Sequence, residues 1–143
     1  MFLRNTIGRT SAVRALSTLT PVATKLAPPA AASYSQAMKV NNLIFVSGQI
    51  PFTPDGKPVE GTITDRANQC LQNVKNILEA SNSSLNHIVK INVFLTDMNN
   101  FQEFNKLYAT YFNEHKPARS CVAVKALPLG VDVEVEAIAV EKD

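Results

Sequence analysis

From Leu43 the chain runs Leu-Ile-Phe-Val-Ser, β-branched and aromatic, with Asn41-Asn42 before it and Gly48 after it. That pattern predicts a strand over residues 43–47. Pro51, Pro54-Asp55-Gly56 and Pro58 then predict a loop centred on a turn. Over residues 65–81 the apolar positions change period. Ala67, Cys70, Leu71, Val74, Ile77 and Leu78 fall on one face of a helix, with Thr64 placed to cap it and Asp65 in its first turn. Cys70 is thereby a core residue rather than a reactive thiol. Residues 88–96 alternate again: Val89, Ile91, Val93 and Leu95 share one side, and Ile88, Lys90, Asn92 and Phe94 the other. A second helix is expected over residues 101–113. Asn100 and Glu103 make a capping-box-like start, Phe101, Phe104, Tyr108, Tyr111 and Phe112 form the apolar side, and His115-Lys116-Pro117 marks the end. Two closing strands, 119–127 and 131–140, are expected to form a hairpin around Pro128-Leu129-Gly130.

This order predicts an α+β fold with two helices on one face of a sheet. Both sides of the strands at 43–47 and 88–96 are apolar, whereas a solvent-facing sheet surface alternates to polar residues. The second face is therefore expected to be buried against other subunits.

The length of 143 residues fits one domain. A chain of this size can bury roughly two-thirds of its unfolded surface, so it needs neither disulfide nor metal to fold. Its two cysteines, Cys70 and Cys121, are too few for a stapled secreted scaffold and fit a reducing compartment. No apolar run reaches the roughly 18 residues of a membrane span.

Charge is unevenly placed. Arg4, Arg9 and Arg14 lie in the first twenty residues, and the first acidic residue is Asp55. A stretch with Arg, Ser and Thr and no acid has the composition of a mitochondrial transit peptide, assigned to residues 1–17, with Arg14-Ala15-Leu16-Ser17 as a cleavage-like run. A basic tail is the alternative. Residues 18–32, rich in Ala and Pro, are expected to be an extended lead-in, and residues 33–143 the domain. Without the three early arginines the body is near neutral and its basic residues are scattered, unlike a nucleic-acid binder.

His87 and His115 lack Cys or carboxylate partners at metal-ligand spacing, so no metal site is expected. The five glycines are dispersed and form no phosphate loop, and no serine sits in a nucleophile elbow. No cofactor is expected. Polar residues remain at positions that apolar ones usually fill. Arg119 opens a strand after Pro117-Ala118, with Cys121 on its side. Ser47 ends a strand, Glu134 sits among valines, and Asn105 lies one turn after Phe101. An arginine fork suits a planar carboxylate. From spacing alone Arg119 is equally well read as the ion-pair partner of Glu134 or Glu136. For Ser47 and Asn105 the residues alone favour local backbone bonding, and for Glu134 a solvated strand face.

The runs Pro117-Ala118-Arg119-Ser120-Cys121-Val122, Leu127-Pro128 and Val133-Glu134-Val135-Glu136-Ala137-Ile138-Ala139-Val140 resemble the C-terminal signature of the Rid (reactive intermediate deaminase) family. Tyr34-Ser35-Gln36-Ala37, Val46-Ser47-Gly48-Gln49-Ile50-Pro51, Gln72-Asn73-Val74-Lys75, and Asn105 before Tyr108 extend the resemblance in the same order, from about residue 32 to residue 140. One departure is a segment between Phe112 and Arg119 that is shorter than in some bacterial members.

The resemblance implies a chorismate-mutase-like homotrimer with pockets at subunit interfaces, in the mitochondrial matrix. It also implies hydrolysis of 2-aminocrotonate and 2-aminoacrylate to 2-oxo acids and ammonia, in support of pyridoxal-phosphate enzymes and isoleucine biosynthesis. It makes Arg119 the carboxylate clamp, with Tyr34, Ser47, Asn105, Cys121 and Glu134 as pocket residues; Glu134 and Ser47 would hold the attacking water. The other reading is a non-catalytic trimer that binds a small carboxylate.

Overall fold

In the computed structural model, which describes residues 17–143, six strands and two helices follow one another as β1 (Leu19–Val22), β2 (Ala37–Val40), β3 (Leu43–Gln49), α1 (Ile63–Ala80), β4 (Ile88–Leu95), α2 (Phe101–Tyr111), β5 (Ala118–Ala123) and β6 (Val133–Val140). Apart from Ser17, the predicted leader lies outside the described residues. The strands form one mixed sheet in the order β1-β2-β3-β6-β4-β5. Only the β4–β5 pair is parallel.

The lead-in is less free than its composition predicts. Leu19–Val22 pairs antiparallel with β2, Leu19 opposite Val40 and Val22 opposite Ala37, so the sheet begins before residue 33. The expected closing hairpin does not form. Pro128–Gly130 is a short 3-10 turn, but β6 inserts between β3 and β4, while β5 pairs with the far side of β4. The reason is burial. Val133, Val135, Ala137 and Ala139 are all buried, and a central position covers that row on both flanks. Strand β5 runs parallel to β4 because α2 carries the chain back between them.

Helix α1 starts two residues earlier than predicted. Thr62, not Thr64, is the cap. Its hydroxyl accepts from the Asp65 amide (3.3 Å) and the Asp65 carboxylate accepts from the Thr62 amide (2.8 Å), a reciprocal capping box. Asn100 and Glu103 make no such box. Asp97 instead accepts from the Asn99 amide (2.9 Å) and starts a 3-10 turn that runs into α2, and Glu103 accepts from Thr64 (2.9 Å), joining the two helices.

The predicted side of β4 holds for Ile91, Val93 and Leu95, all buried, but not for its first residues. Ile88 pairs with Ala139 and Lys90 with Ile138, so Val89 is an extra residue that bulges outward, and Ile88 turns in. The core lies between the sheet and the helices. Ala67, Cys70, Leu71, Val74, Ile77 and Leu78 of α1 and Phe104 of α2 pack on the inward row of the sheet. The other face keeps apolar residues in the open: Phe45 is 42% exposed and Val122 47%.

Candidate active site

A second bulge shapes the end of β3. Val46 lies opposite Ala137 and Gln49 opposite Val135, so three residues of β3 span two of β6, and the chain at Ser47-Gly48 leaves the flat ladder. Glu134, on the outward row of β6, lays its carboxylate over Gly48 so closely that a Cβ there would collide with its Oε1. The lack of a side chain at Gly48 is what makes room for this position of the carboxylate. Burial, with Glu136 nearby, pushes the Glu134 carboxyl above its ordinary 4.5. Ser47 donates its hydroxyl hydrogen to the Ser35 carbonyl (2.6 Å), which leaves its oxygen free to accept. This backbone bond is to a distant strand lead, not to a local partner.

Ser47, Gly48 and Glu134 border a cavity of about 680 Å³. Tyr34 borders it too, half exposed, its hydroxyl accepting from the Ala31 amide (3.4 Å). The remaining walls are mostly apolar, among them Pro28, Pro29, Ile50, Phe52 and Leu129. The lead-in therefore supplies one whole wall.

Arg119, Asn105 and Cys121 do not reach this cavity. Arg119 lies opposite Ile91 and Cys121 opposite Val93, so both side chains belong to the helix-covered face, at its β5 edge. Glu134 lies opposite Phe94 on the other face. One chain thus holds these two groups of polar residues on opposite faces of its sheet.

The pairing of Arg119 with Glu134 or Glu136 is not formed. Glu136 accepts from Asn92 (2.8 Å), and Arg119 donates from Nη1 to Asn105 Oδ1 (2.6 Å). Arg119 makes no ion pair among the described residues. Its guanidinium carbon lies 4.6 Å from the ring centre of Tyr108 and 5.7 Å from that of Phe101. Such cation–π contacts are worth about 0.5–2 kcal/mol each and hold the plane of the fork.

Tyr108 is the site residue that sequence reasoning assigned only to packing. It is buried, its hydroxyl has no partner among the described residues, and burial pushes its pKa up to about 12 despite the nearby Arg119. It is a neutral ring under a cation. Its position three residues after Asn105, one helical turn, was the available signal.

Cys121 is half-buried. Burial raises its thiol pKa, and the nearby Arg119, which lowers it, offsets this only in part. Both histidines are occupied by structural bonds: His87 Nδ1 with Ser84 Oγ (2.8 Å) and His115 Nε2 with the Ile88 carbonyl (2.6 Å). Among the described residues no cluster of His, Cys, Asp or Glu could hold a metal ion, and no helix is long and apolar enough to cross a membrane.

The arrangement offers a carboxylate with raised proton affinity beside a hydroxyl acceptor in an apolar cavity. Separately it offers an unpaired, aromatic-seated arginine. The family profile described as Endoribonuclease L-PSP matches residues 24–141. "Protein MMF1, mitochondrial" of Saccharomyces cerevisiae is 68% identical over the whole of both chains. A crystal structure of yeast Mmf1 superposes with a TM-score of 0.86 at 71% identity, covering 87% of this chain and 100% of that one. The "2-iminobutanoate/2-iminopropanoate deaminase" of Escherichia coli is 44% identical, covering 85% of this chain and 97% of its own. Escherichia coli TdcF, solved with bound serine, superposes at 0.82 with 40% identity over 86% of this chain and 99% of that one.

Proposed function

The chain belongs to the Endoribonuclease L-PSP (Rid) family, and from that premise we propose that it is a cofactor-independent deaminase of 2-imino acids, working at sites shared between neighbouring protomers of a homotrimer. The observation that carries the reading is Arg119: a guanidinium held by Asn105 and two rings, with no carboxylate of its own among the described residues. A fork kept oriented and unpaired suits the carboxylate of a small acid.

The opposite-face placement of Arg119 and Glu134 supports the trimer. With the β5 edge of one copy set against the open sheet face of the next, a head-to-tail contact that can close as a ring of three, the arginine of one would meet the Ser47–Glu134 cavity of its neighbour. The deaminase relative and the serine-bound relative support a small amino- or imino-acid ligand.

The chemistry is as follows. The enamine 2-aminocrotonate or 2-aminoacrylate tautomerises to its imine, protonated on nitrogen. Arg119 holds the carboxylate and so aims the C=N carbon at a water. That water donates one hydrogen toward Ser47 Oγ and loses the other to Glu134 as its oxygen bonds to carbon. Glu134 then returns the proton to the amine nitrogen, takes the hydroxyl proton as the C–N bond breaks and the C=O forms, and passes it to the departing ammonia, so that a 2-oxo acid and ammonium leave. A carboxylate whose pKa is raised is a stronger base for this step. No covalent enzyme intermediate is required, which accords with the protonated, half-buried Cys121. The host role is removal of reactive imines in the mitochondrial matrix after cleavage of the leader, in support of pyridoxal-phosphate enzymes and isoleucine synthesis. The yeast relatives named mitochondrial support the compartment.

The test is oxo-acid release coupled to a threonine dehydratase. Arg119→Ala and Arg119→Lys are each expected to lose about 100-fold in kcat/KM, since a point charge cannot orient the acid as a fork does. A folded Arg119→Ala trimer working at full rate would discard the clamp.

A further inference from the structure

Residues 23–36, between β1 and β2, form neither strand nor helix, yet they supply Pro28, Pro29, Ala31, Ala32 and Tyr34 to the cavity. An irregular segment needs partners for its backbone polar groups. One buried side chain provides four of them. Gln36, 4% exposed, accepts at Oε1 from the Thr24 amide (2.6 Å). Its Nε2 donates to the carbonyls of Pro28 (2.7 Å), Thr24 (3.1 Å) and Ala27 (3.3 Å), two hydrogens shared among three acceptors. From α1, Asn76 donates to the Leu26 carbonyl (2.7 Å) and ties the same segment from outside. Ala27 is buried between these anchors.

We propose that Gln36 is a positioning residue for substrate specificity: by clamping residues 24–28 it fixes the Pro28–Ala32 wall against which the alkyl end of the imine packs. The inference rests on the deaminase reading and deepens it. The cavity carries polar groups at Ser47 and Glu134, with Gln36 and Gln49 also in its lining, and the rest of its wall, including Ile50, Phe52, Leu129 and the prolines, is mostly apolar. Proline rings fix φ, so the wall is rigid once its carbonyls are held. The four-carbon and three-carbon imines differ by one methyl group, and a fixed apolar surface can favour the larger by about tenfold or more. A wall that drifts loses that preference without disturbing the water, the base or the carboxylate grip.

The experiment compares wild type, Gln36→Met and Asn76→Ala on the imines that one dehydratase releases from threonine or from serine. Gln36→Met keeps the bulk and removes all four bonds. Asn76→Ala lies at an exposed bond and loosens the same segment without burying an unpaired group. The wild type is expected to prefer the four-carbon imine. The ratio of kcat/KM, four-carbon over three-carbon, is expected to fall about three- to tenfold in Gln36→Met and less in Asn76→Ala, through KM with kcat retained. An unchanged ratio in folded Gln36→Met, even with a lowered Tm, overturns the proposal. If Gln36→Met does not fold, an unchanged ratio in Asn76→Ala overturns it. A wild-type ratio near one does so as well. A wild type inactive on both imines sinks the deaminase reading itself, and this inference with it.

Discussion

At Gly48 the absence of a side chain is what lets Glu134 lie across the β3 bulge. Gly48→Ala is expected to displace the carboxylate rather than the backbone, because the obstructed atoms are the far end of a flexible side chain. Activity should drop by about 10- to 100-fold while the unfolding midpoint barely moves; parallel steady-state kinetics and thermal melts check this. Glu134→Gln probes the raised pKa. The folded carboxyl binds its proton more tightly than the unfolded one, so native stability declines as pH rises from the unfolded value through the folded value, and the penalty is complete above both. At neutral pH the glutamine variant is therefore expected to be at least as stable as wild type, yet to lose the acidic limb of the kcat/KM profile. Urea titrations at two pH values and a pH–rate series decide it. At this scale the sequence pointed to Arg119 and Glu134 because each interrupts an apolar pattern. It was silent on their partners: Arg119 rests on Asn105 and Tyr108, residues on a helix that only packing brings near.

Among the elements, periodicity located the long segments well and the irregular ones poorly. Two threonines, Thr62 and Thr64, precede Asp65, and only Thr62 has the three-residue spacing that closes a reciprocal box. Thr62→Ala is expected to cost about 1 kcal/mol of stability, read as a shift in the urea midpoint at constant m, whereas Thr64→Ala should cost less. The bulges at Val89 and at Ser47-Gly48 carry no mark in the alternation, since a two-residue period resumes after each. The mistaken hairpin has a related cause. Turn residues at Pro128-Leu129-Gly130 signal that the chain bends, but which strand β6 joins is settled by where its buried row fits, a long-range matter.

For the whole molecule, the proposed function ties the two groups of polar residues to the uncovered apolar sheet face. On that reading, a protomer that keeps Phe45 and Val122 in the open while splitting its polar groups between faces is incomplete alone. Trimers are expected in sedimentation equilibrium. A mixing test goes further. Arg119→Ala and Glu134→Gln, each nearly inactive, are denatured together in equal amounts and refolded. If each site takes its arginine from one protomer and its carboxylate from the next, random assembly restores about one quarter of wild-type activity. No recovery from well-formed mixed trimers would place each site within a single chain.

Residue pattern alone determined the helices, the main strands and the α+β class, because amphipathic period is a local property that burial reads directly. It also singled out an arginine and a glutamate as misfits in apolar rows. Tertiary structure alone decided that β6 lies between β3 and β4, that the lead-in is a cavity wall, and that Arg119 and Glu134 face opposite ways. Each of those depends on contacts between residues far apart in the chain, and alternation along a strand says which residues share a face but not what lies across from them.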